Sequence, residues 1–317
     1  MGSTVVTSLV SAQTFFVYDT GFEPGNGFSI DQPLAGQSGW IGVGSDQFLQ
    51  FGGNGLVTNF FEGEGQQAYI GFSPLSGTND ILNVWRPLNY SPLAAGTPAV
   101  KFSVSMAIFD STIRYYDSFL WSVYNTNNPG QRLFSIDFDN VTGNICYLLD
   151  DGIFVPTGFA FELAGPDGLG LYDLEVTMNF ASNRWSASLN GTIIANARPM
   201  TTKGAMLNLG DIDAVWINQT PGSPGDNFMV FDNYRVTAEK ALPLPAQLAP
   251  VPGPGGGAFV LRLQGEPGRS YALDASADLA AWTALKTNVV GIDGMVDFAD
   301  TSAGAWAHRF YRGRLVP

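Results

Sequence analysis

The chain has very few residues of the kinds that act as bases, nucleophiles or soft metal ligands. Its 317 residues include one cysteine, Cys146, and one histidine, His308. A lone cysteine cannot close an intrachain disulfide, so the core must hold the fold without one. One Cys and one His are too few for a zinc site, and no Gly-x-Ser-x-Gly elbow occurs. We therefore predict no catalytic residue of these kinds.

Basic residues and long apolar runs are scarce as well. Lys and Arg number 15 against 28 Asp and Glu, which gives a formal net charge of −13. Nucleic acids and anionic membranes select basic surfaces, so we predict neither as a partner. No apolar run approaches the roughly 20 residues of a membrane span. Residues 1–13 are predicted to be either a signal remnant or an arm that adds a strand to a neighbour's sheet.

The residues that are abundant favour strands and turns. Hydrophobic residues make up 45% of the chain, with 38 glycines and 19 prolines, while charged residues are only 14%. Surface helices need more Glu, Lys and Ala than this. Residues 100–108 alternate between apolar and other side chains, as a strand with one buried face does. Asn190-Gly191 lies between two alternating runs and predicts a two-residue hairpin turn, because both positions need positive φ. We predict an all-β protein.

The composition changes at residue 241. Residues 241–257 are rich first in proline and then in glycine, which predicts a linker. Short strand-like runs resume over residues 258–317. A module of about 60 residues is near the lower limit for an independent core. The sequence thus predicts a large β domain over 14–240, a linker, and a small β module.

Four segments of the large domain form a distinctive pattern. They are residues 172–176, residues 183–191, the closing run Val230–Val236, and Gly21–Phe28 near the start. Together they resemble the concanavalin A-like (laminin-G/glucanase-like) jelly-roll domains. The resemblance covers residues 14–240 and implies a large antiparallel jelly-roll β-sandwich.

The same resemblance implies a cofactor. Related sandwiches often hold a structural Ca²⁺ between the opening strand and the final strand that contains an Asp. The matching positions here are Glu23, the carbonyl of Gly25, and Asp232. Carboxylate and carbonyl oxygens are the ligands that Ca²⁺ prefers. The alternative is that Asp232 caps a turn or pairs with Arg235. No other cofactor is predicted.

The last 60 residues carry a second resemblance. The segments Gly268–Tyr271, Ala275–Leu279 and Arg309–Arg312, with Trp282, are similar to the small β module that ends many large secreted proteins of verrucomicrobial type. This implies an extracellular or cell-surface setting, and it implies no particular chemistry.

The catalytic carboxylates of the glucanase-like branch have no counterpart in the chain. Their Glu-x-Asp-x-x-Glu pattern is missing, and the nearest arrangement is Asp137-Phe138-Asp139. Retaining glycoside hydrolysis needs two carboxyl groups about 5–5.5 Å apart. We predict that Asp137 and Asp139 share a strand face and hydrogen-bond sugar hydroxyls, with hydrolase or lyase activity as a lesser alternative.

Aromatic residues in predicted loops are further candidates for ligand binding, because sugar rings stack on exposed aromatic side chains. The tryptophans on alternating strands, Trp121, Trp185 and Trp216, are instead predicted to be buried. The loop candidates are Trp85 with Arg86, and Tyr115 with Tyr116 and Asp117.

These features predict a non-catalytic extracellular or cell-surface protein that binds polysaccharide or another surface polymer. The alternative is a structural subunit of an extracellular fibre or surface layer, which would self-associate by strand donation from the N-terminal arm.

Overall fold

A computed structural model describes residues 14–43, 53–71, 81–127, 131–165, 170–203, 206–220, 222–240, 247–252, 259–265, 269–291 and 294–316. The described residues form β-strands and two short 3₁₀ turns, Pro24–Asn26 and Ala303–Ala305, with no α-helix among them. The all-β prediction is confirmed. None of the helical turns in these ranges is long and apolar enough to span a membrane. The predicted N-terminal arm, residues 1–13, lies outside the described residues.

Contacts within the chain divide it into two units, Met1–Lys240 and Ala241–Pro317. The strands of the first, the N-terminal unit, are β1 (Thr14–Thr20), β2 (Ile41–Val43), β3 (Gly53–Thr58), β4 (Gln66–Gly71), β5 (Ile81–Trp85), β6 (Ala99–Phe109), β7 (Ser118–Asn125), β8 (Gln131–Asp139), β9 (Asn144–Leu149), β10 (Phe154–Ala160), β11 (Leu171–Asn179), β12 (Arg184–Leu189), β13 (Thr192–Pro199), β14 (Asp211–Ile217) and β15 (Phe228–Glu239).

These strands form two antiparallel sheets. Sheet A has the order β13-β12-β11-β6-β15-β4-β3, with β1 also paired to β15, and sheet B has the order β10-β9-β8-β7-β14-β5-β2. Strand β6 alternates buried and partly exposed side chains, as the sequence pattern predicts. The Asn190-Gly191 turn has φ values of 48° and 77°, which confirms the positive φ required at both positions.

The core between the two sheets is rich in aromatic side chains. Trp121, Trp185 and Trp216 are each at most 2% exposed, as predicted. Trp185 stacks on Phe134 with ring centres 4.1 Å apart. The hydroxyl of Tyr234 is satisfied inside the core, where it donates to the carbonyl of Ile212 at 3.1 Å. Each aromatic side chain buries about 150–250 Å², so this cluster dominates the packing of the sandwich.

Strand β15 joins three other strands and contains a bulge. Phe228–Phe231 pair with β4, residues 234–239 pair with β1, and β6 pairs along the other edge. The register against β6 shifts between Asp232 and Arg235, and Asn233 has a φ of 53°. A bulge re-aims the side chains around it. Here it leaves Asp232 on the outer face of sheet A, at the gap between β4 and β1.

The C-terminal unit contains two three-stranded antiparallel sheets, β16-β17-β20 and β19-β18-β21. Its small core includes Leu263, Tyr271, Leu273 and Phe298. Its strands are β16 (Gln247–Val251), β17 (Phe259–Gln264), β18 (Ser270–Ser276), β19 (Thr283–Val289), β20 (Met295–Asp300) and β21 (Phe310–Leu315).

Strand β16 lies inside the segment predicted to be a linker. Proline cannot donate to a sheet ladder, so a proline-rich segment favours an unpaired chain. The structure accommodates Pro250 in an edge strand, where β16 pairs only with β17 and Pro250 lies opposite Leu261. Residues 241–246 and 253–257 of the predicted linker lie outside the described ranges.

Candidate functional site

The outer face of sheet B, which is turned away from the core, carries several buried polar side chains. On β7, Phe119 and Trp121 point into the core, so Leu120 and Ser122 point outward. The strand registers extend two rows across the sheet from these residues. One row is Asp137, Leu120 and Val215, and the other is Ser135, Ser122 and Asp213.

Three of the residues predicted to bind ligand lie on this face. Asp137 is 4% exposed and Asp139 is half-buried, and both point outward from β8 as the alternation predicts. Trp85 lies on the same face of β5 as Asn83, whose Nδ2 donates to Asp213 Oδ2 at 3.2 Å. The fold therefore brings Trp85 and the two aspartates to one sheet surface.

The buried carboxyl groups of this face hold protons unusually tightly. Burial, and then the charge of Asp211, raises the pKa of Asp213 to about 9. Burial, and then the charge of Asp139, raises the pKa of Asp137 to about 7. A buried carboxyl without a cation favours its neutral form. At neutral pH, Asp213 is therefore a hydrogen-bond donor, and its proton is shared with Asp211.

Two polar atoms on the face lack partners within the described residues. Asp137 Oδ1 and Arg132 Nε are both buried, and neither has a hydrogen-bond partner. Most buried polar atoms in proteins are paired, so orphans concentrated on one surface are unusual. Apolar side chains lie among them, and Leu120, Leu148 and Val215 form a small cluster.

Sequence reasoning missed half of this surface. The pattern Asp211-Ile212-Asp213-Ala214 alternates in the same way as Asp137-Phe138-Asp139, and Ile212 and Ala214 are buried in the core. That alternation was the available signal for a second outward-facing pair. Asn83, Tyr124 and Arg132 carry no such signal, because only the strand order places them beside the aspartates.

The predicted metal ligands Glu23 and Asp232 also approach each other. Glu23 Oε1 accepts a hydrogen bond from the backbone N–H of Gln66 at 2.9 Å, which ties the turn after β1 to the start of β4. Asp232 is 1% exposed. Burial, and then the charges of Glu64 and Glu23, raises its pKa to about 7. Gly25 lies within the adjacent 3₁₀ turn Pro24–Asn26.

The chemistry of these donors fits a hard cation. The charges of Glu64 and Glu23 raise the pKa of Asp232, and no Lys or Arg is among the described groups that shift it. Within the described ranges, no three His, Cys, Asp or Glu side chains are close enough to hold a metal by themselves. A Ca²⁺ ion here would therefore take two carboxylates and complete its shell with carbonyl oxygens or water.

The alternative role for Asp232 is partly correct. Its Oδ1 accepts from the backbone N–H of Asn233 at 2.7 Å, so it does cap the bulge. It does not pair with Arg235, because the Arg235 guanidinium binds Asp19 at 2.9 Å. Besides this cap, the Asp232 carboxyl group has a hydrogen bond with the Gln67 side chain.

The other predicted ligand residues lie elsewhere in the N-terminal unit. Arg86 donates to the Gly39 carbonyl at 3.2 Å and stacks over the ring of Tyr18. Tyr115 is 43% exposed and Tyr116 is half-buried in the loop before β7.

Asp117, at the end of that loop, is fully buried. It accepts hydrogen bonds from Trp216 Nε1 at 3.1 Å, the Gly225 N–H at 2.8 Å and the Gln219 N–H at 3.4 Å. These three contacts anchor the loop between β14 and β15. They point away from the outer face of sheet B.

No protein-family model and no curated protein sequence matches the chain. Among solved structures it is similar to a sialidase, at 10% identity and a TM-score of 0.37, over 58% of this chain and 16% of that one. It is similar to a carbohydrate esterase of Shiga toxin-encoding bacteriophage phi24B, at 12% identity and a TM-score of 0.45, over 71% of this chain and 99% of that one. It is also similar to a carbohydrate recognition domain in a potassium-bound form, at 12% identity and a TM-score of 0.40, over 63% of this chain and 88% of that one. Similarities at this level identify no ligand or activity for this chain.

Proposed function

We propose that the protein is a non-catalytic extracellular or cell-surface protein that binds a neutral polysaccharide on the outer face of sheet B. The observation that carries the proposal is the pair of buried polar atoms without partners in the described structure, Asp137 Oδ1 and Arg132 Nε. Hydroxyl groups both donate and accept, so a sugar satisfies carboxyl and guanidinium groups alike.

The mixture of side chains on this face supports a sugar over other small polar ligands. Sugar rings present hydroxyls at the edge and C–H groups on their faces. The cluster of Leu120, Leu148 and Val215 offers an apolar surface for the C–H groups. Half-buried Trp85 lies on the same face and offers a ring for stacking.

The charge of the face supports a neutral polymer. Apart from Asp213, which is protonated at neutral pH, the acidic groups of the face are Asp137, Asp139 and Asp211, and a single described arginine on this face, Arg132, opposes them. A polymer that carries carboxylates or sulfates would meet like charges at short range. A neutral polysaccharide avoids this repulsion.

The spacing of Asp137 and Asp213 does not match the carboxyl pair of a retaining glycoside hydrolase. Asp137 and Asp213 lie on β8 and β14, with β7 between them. Adjacent strands are about 4.8 Å apart, so these backbones are separated by roughly 10 Å or more. Retaining hydrolysis needs carboxyls about 5–5.5 Å apart. If the protein instead cleaved its ligand and Asp137→Asn abolished that turnover, the non-catalytic proposal would be wrong.

Replacing Trp85 by alanine should weaken polysaccharide binding about ten-fold, which corresponds to the loss of about 1.4 kcal/mol of stacking. Asp139→Asn should weaken binding by a smaller factor, because the Asp139 oxygens already accept from the Val141 N–H and from the Thr142 hydroxyl in the turn after β8. Affinity electrophoresis in gels that contain neutral β-glucans, xylans or mannans would measure both effects. Glu175→Gln is the matched control, since Glu175 pairs with Lys101 on sheet A. Retardation that is equal for all variants, or absent with every neutral polymer, would contradict the proposal.

We further propose that Glu23 and Asp232 hold a structural Ca²⁺. Saturating Ca²⁺ should raise the free energy of unfolding by about 2–3 kcal/mol at a hundred times its Kd. Protons compete for Asp232, whose pKa is about 7, so the gain should be larger at pH 8 than at pH 5.5. Thermal unfolding of chelator-treated protein, with and without added Ca²⁺, measures this.

Asp232→Asn should remove the Ca²⁺ effect, whereas Asp19→Asn should keep it. Asp19 is a suitable control because it is a nearby carboxylate that pairs with Arg235. An equal Ca²⁺ response from the Asp232→Asn variant would show that the ion binds elsewhere.

A further inference from the structure

The C-terminal unit carries a cluster of charges on the sheet β19-β18-β21. Arg312 lies directly opposite Asp274 in the strand register, and Arg314 lies two residues further along β21, on the same face of the strand. The Nε atoms of both arginines donate to the same atom, Asp274 Oδ2, at 3.0 and 3.2 Å. One carboxylate oxygen therefore holds two guanidinium groups side by side.

The charges in this cluster do not balance. The Asp274 side chain is only 3% exposed, and its other oxygen, Oδ1, is buried without a hydrogen-bond partner in the described structure. The side chains of Arg312 and Arg314 are 46% and 49% exposed. No hydrogen bond of the described residues engages their terminal Nη groups. One buried anion thus orients two half-exposed cations, and the cluster keeps an excess positive charge.

The exposed edges of two neighbouring guanidinium groups match an oxyanion. A guanidinium offers parallel N–H donors that bind a carboxylate or sulfate in a bidentate manner. Asp274 fixes the Nε side of each group, so less conformational freedom is lost when an anion binds. Residual repulsion between the arginines also decreases when a second negative charge arrives.

Aromatic side chains flank the two arginines. The Arg312 guanidinium lies 4.4 Å from the ring centre of Trp282, which fixes its orientation. Phe310 is 40% exposed, and its position two residues before Arg312 on β21 places it on the same face of the strand. An exposed ring beside an anion site favours a ligand that carries both a flat apolar surface and an acidic group.

The distribution of charge along the chain is consistent with this site. Residues 1–240 contain nine Lys and Arg against 22 Asp and Glu, whereas residues 241–317 contain six of each. The net negative charge therefore belongs entirely to the N-terminal part of the sequence. At physiological salt the Debye length is about 8 Å, so an anion bound by Arg312 and Arg314 responds mainly to charges close to it.

We infer that Arg312, Arg314 and Phe310 form a binding site for the acidic groups of an anionic polysaccharide, with Trp282 and Asp274 as positioning residues. The ligand group is a uronate carboxylate or a sulfate ester, since both present oxygens that two guanidinium groups can grip. This site is separate from the neutral-polymer site on sheet B and does not depend on it.

The test is the binding of the full chain to polygalacturonate and to dextran sulfate, measured by isothermal titration. In the double variant R312Q/R314Q, the Kd for the bound polymer should rise at least about ten-fold, as expected for the loss of charge-assisted hydrogen bonds. Binding of polygalacturonate by the wild type identifies the ligand group as a carboxylate, and binding of dextran sulfate identifies it as a sulfate ester. R262Q is the matched control, because Arg262 pairs with the exposed Asp297 on the other sheet of this unit.

Loss of the arginines leaves Asp274 buried without a partner, so a charge-conserving variant is needed as well. R312K/R314K keeps two cations near Asp274 but lacks the planar guanidinium groups that bind an oxyanion in a bidentate manner. It should therefore weaken polymer binding about five-fold or more. Unchanged binding by R312K/R314K, or an equal loss in R262Q, would overturn the site. Equal binding of poly-glutamate, which has carboxylates without sugar rings, would overturn the choice of a polysaccharide.

Discussion

Replacing Asp117 by alanine should destabilise the N-terminal unit by about 4 kcal/mol, because it leaves several buried donors without an acceptor. Asp117 accepts from the Trp216 indole, from the Gly225 N–H and from the Gln219 N–H. Each unpaired buried donor costs about 1–3 kcal/mol, and the loop after β14 would also lose its anchor. Urea unfolding followed by tryptophan fluorescence measures the change in the free energy of unfolding.

The matched control is Tyr115→Ala, which alters an exposed side chain in the same loop. Exposed positions away from such networks usually change stability by less than about 0.5 kcal/mol. The comparison also separates two roles for Asp117. If Asp117 bound ligand, as the sequence predicts, its alanine variant would fold with wild-type stability and lose only binding. A stable Asp117→Ala protein would therefore contradict the anchoring role.

Replacing Asp213 by asparagine should stabilise the protein at neutral and alkaline pH. Its pKa rises from the ordinary 3.8 to about 9 in the folded state, so the folded state holds a proton that the unfolded state releases. Stability from such a group is fully present below about pH 4 and is lost progressively as pH rises toward 9. One pKa unit corresponds to about 1.4 kcal/mol. The raised pKa of Asp213 therefore lowers the free energy of unfolding at pH 7 by at most about 4 kcal/mol.

We expect Asp213→Asn to raise the free energy of unfolding at pH 7 by about 2 kcal/mol, half of this maximum, because buried sites relax around a charge. Asparagine can donate to Asp211 and can still accept from Asn83, so both existing contacts are kept. Denaturant unfolding from pH 4 to pH 9 should show a flatter profile for Asp213→Asn and nearly equal stabilities at pH 4. Asp211→Asn serves as the comparison, since it removes the neighbouring charge and keeps one acceptor oxygen. A stability difference between Asp213→Asn and the wild type that does not grow with pH over this range would contradict the buried protonated Asp213.

Local patterns in the sequence predicted the strands well, because they depend on neighbouring residues. The alternation over 100–108 and the Asn190-Gly191 turn each fix a backbone conformation within a few positions. The outward direction of Asp137 and Asp139 follows from the same alternation. These features could be read without knowing which strands are adjacent.

Features that depend on strand order could not be predicted in this way. The acceptor role of Asp117 depends on donors about 100 residues further along the chain, in β14 and in the loop after it. The proximity of Glu23 and Asp232 was expected only through the family resemblance, and the bulge at Asn233 supplies its structural basis. Asp213 was missed because the high pKa follows from burial and from Asp211, and burial on the outer face of a sheet leaves no mark in the sequence.

The pairing of β1 with β15 has a consequence for the order in which the N-terminal unit folds. Thr14 lies opposite Glu239, so the first and last described strands of this unit are hydrogen-bonded neighbours. During synthesis, β1 has no partner on β15 until more than two hundred further residues have left the ribosome. Contacts so distant in sequence slow folding, since the chain must close a large loop before they form. We therefore expect β1 to dock last, and the Glu23 and Asp232 carboxylates to meet only at that final step.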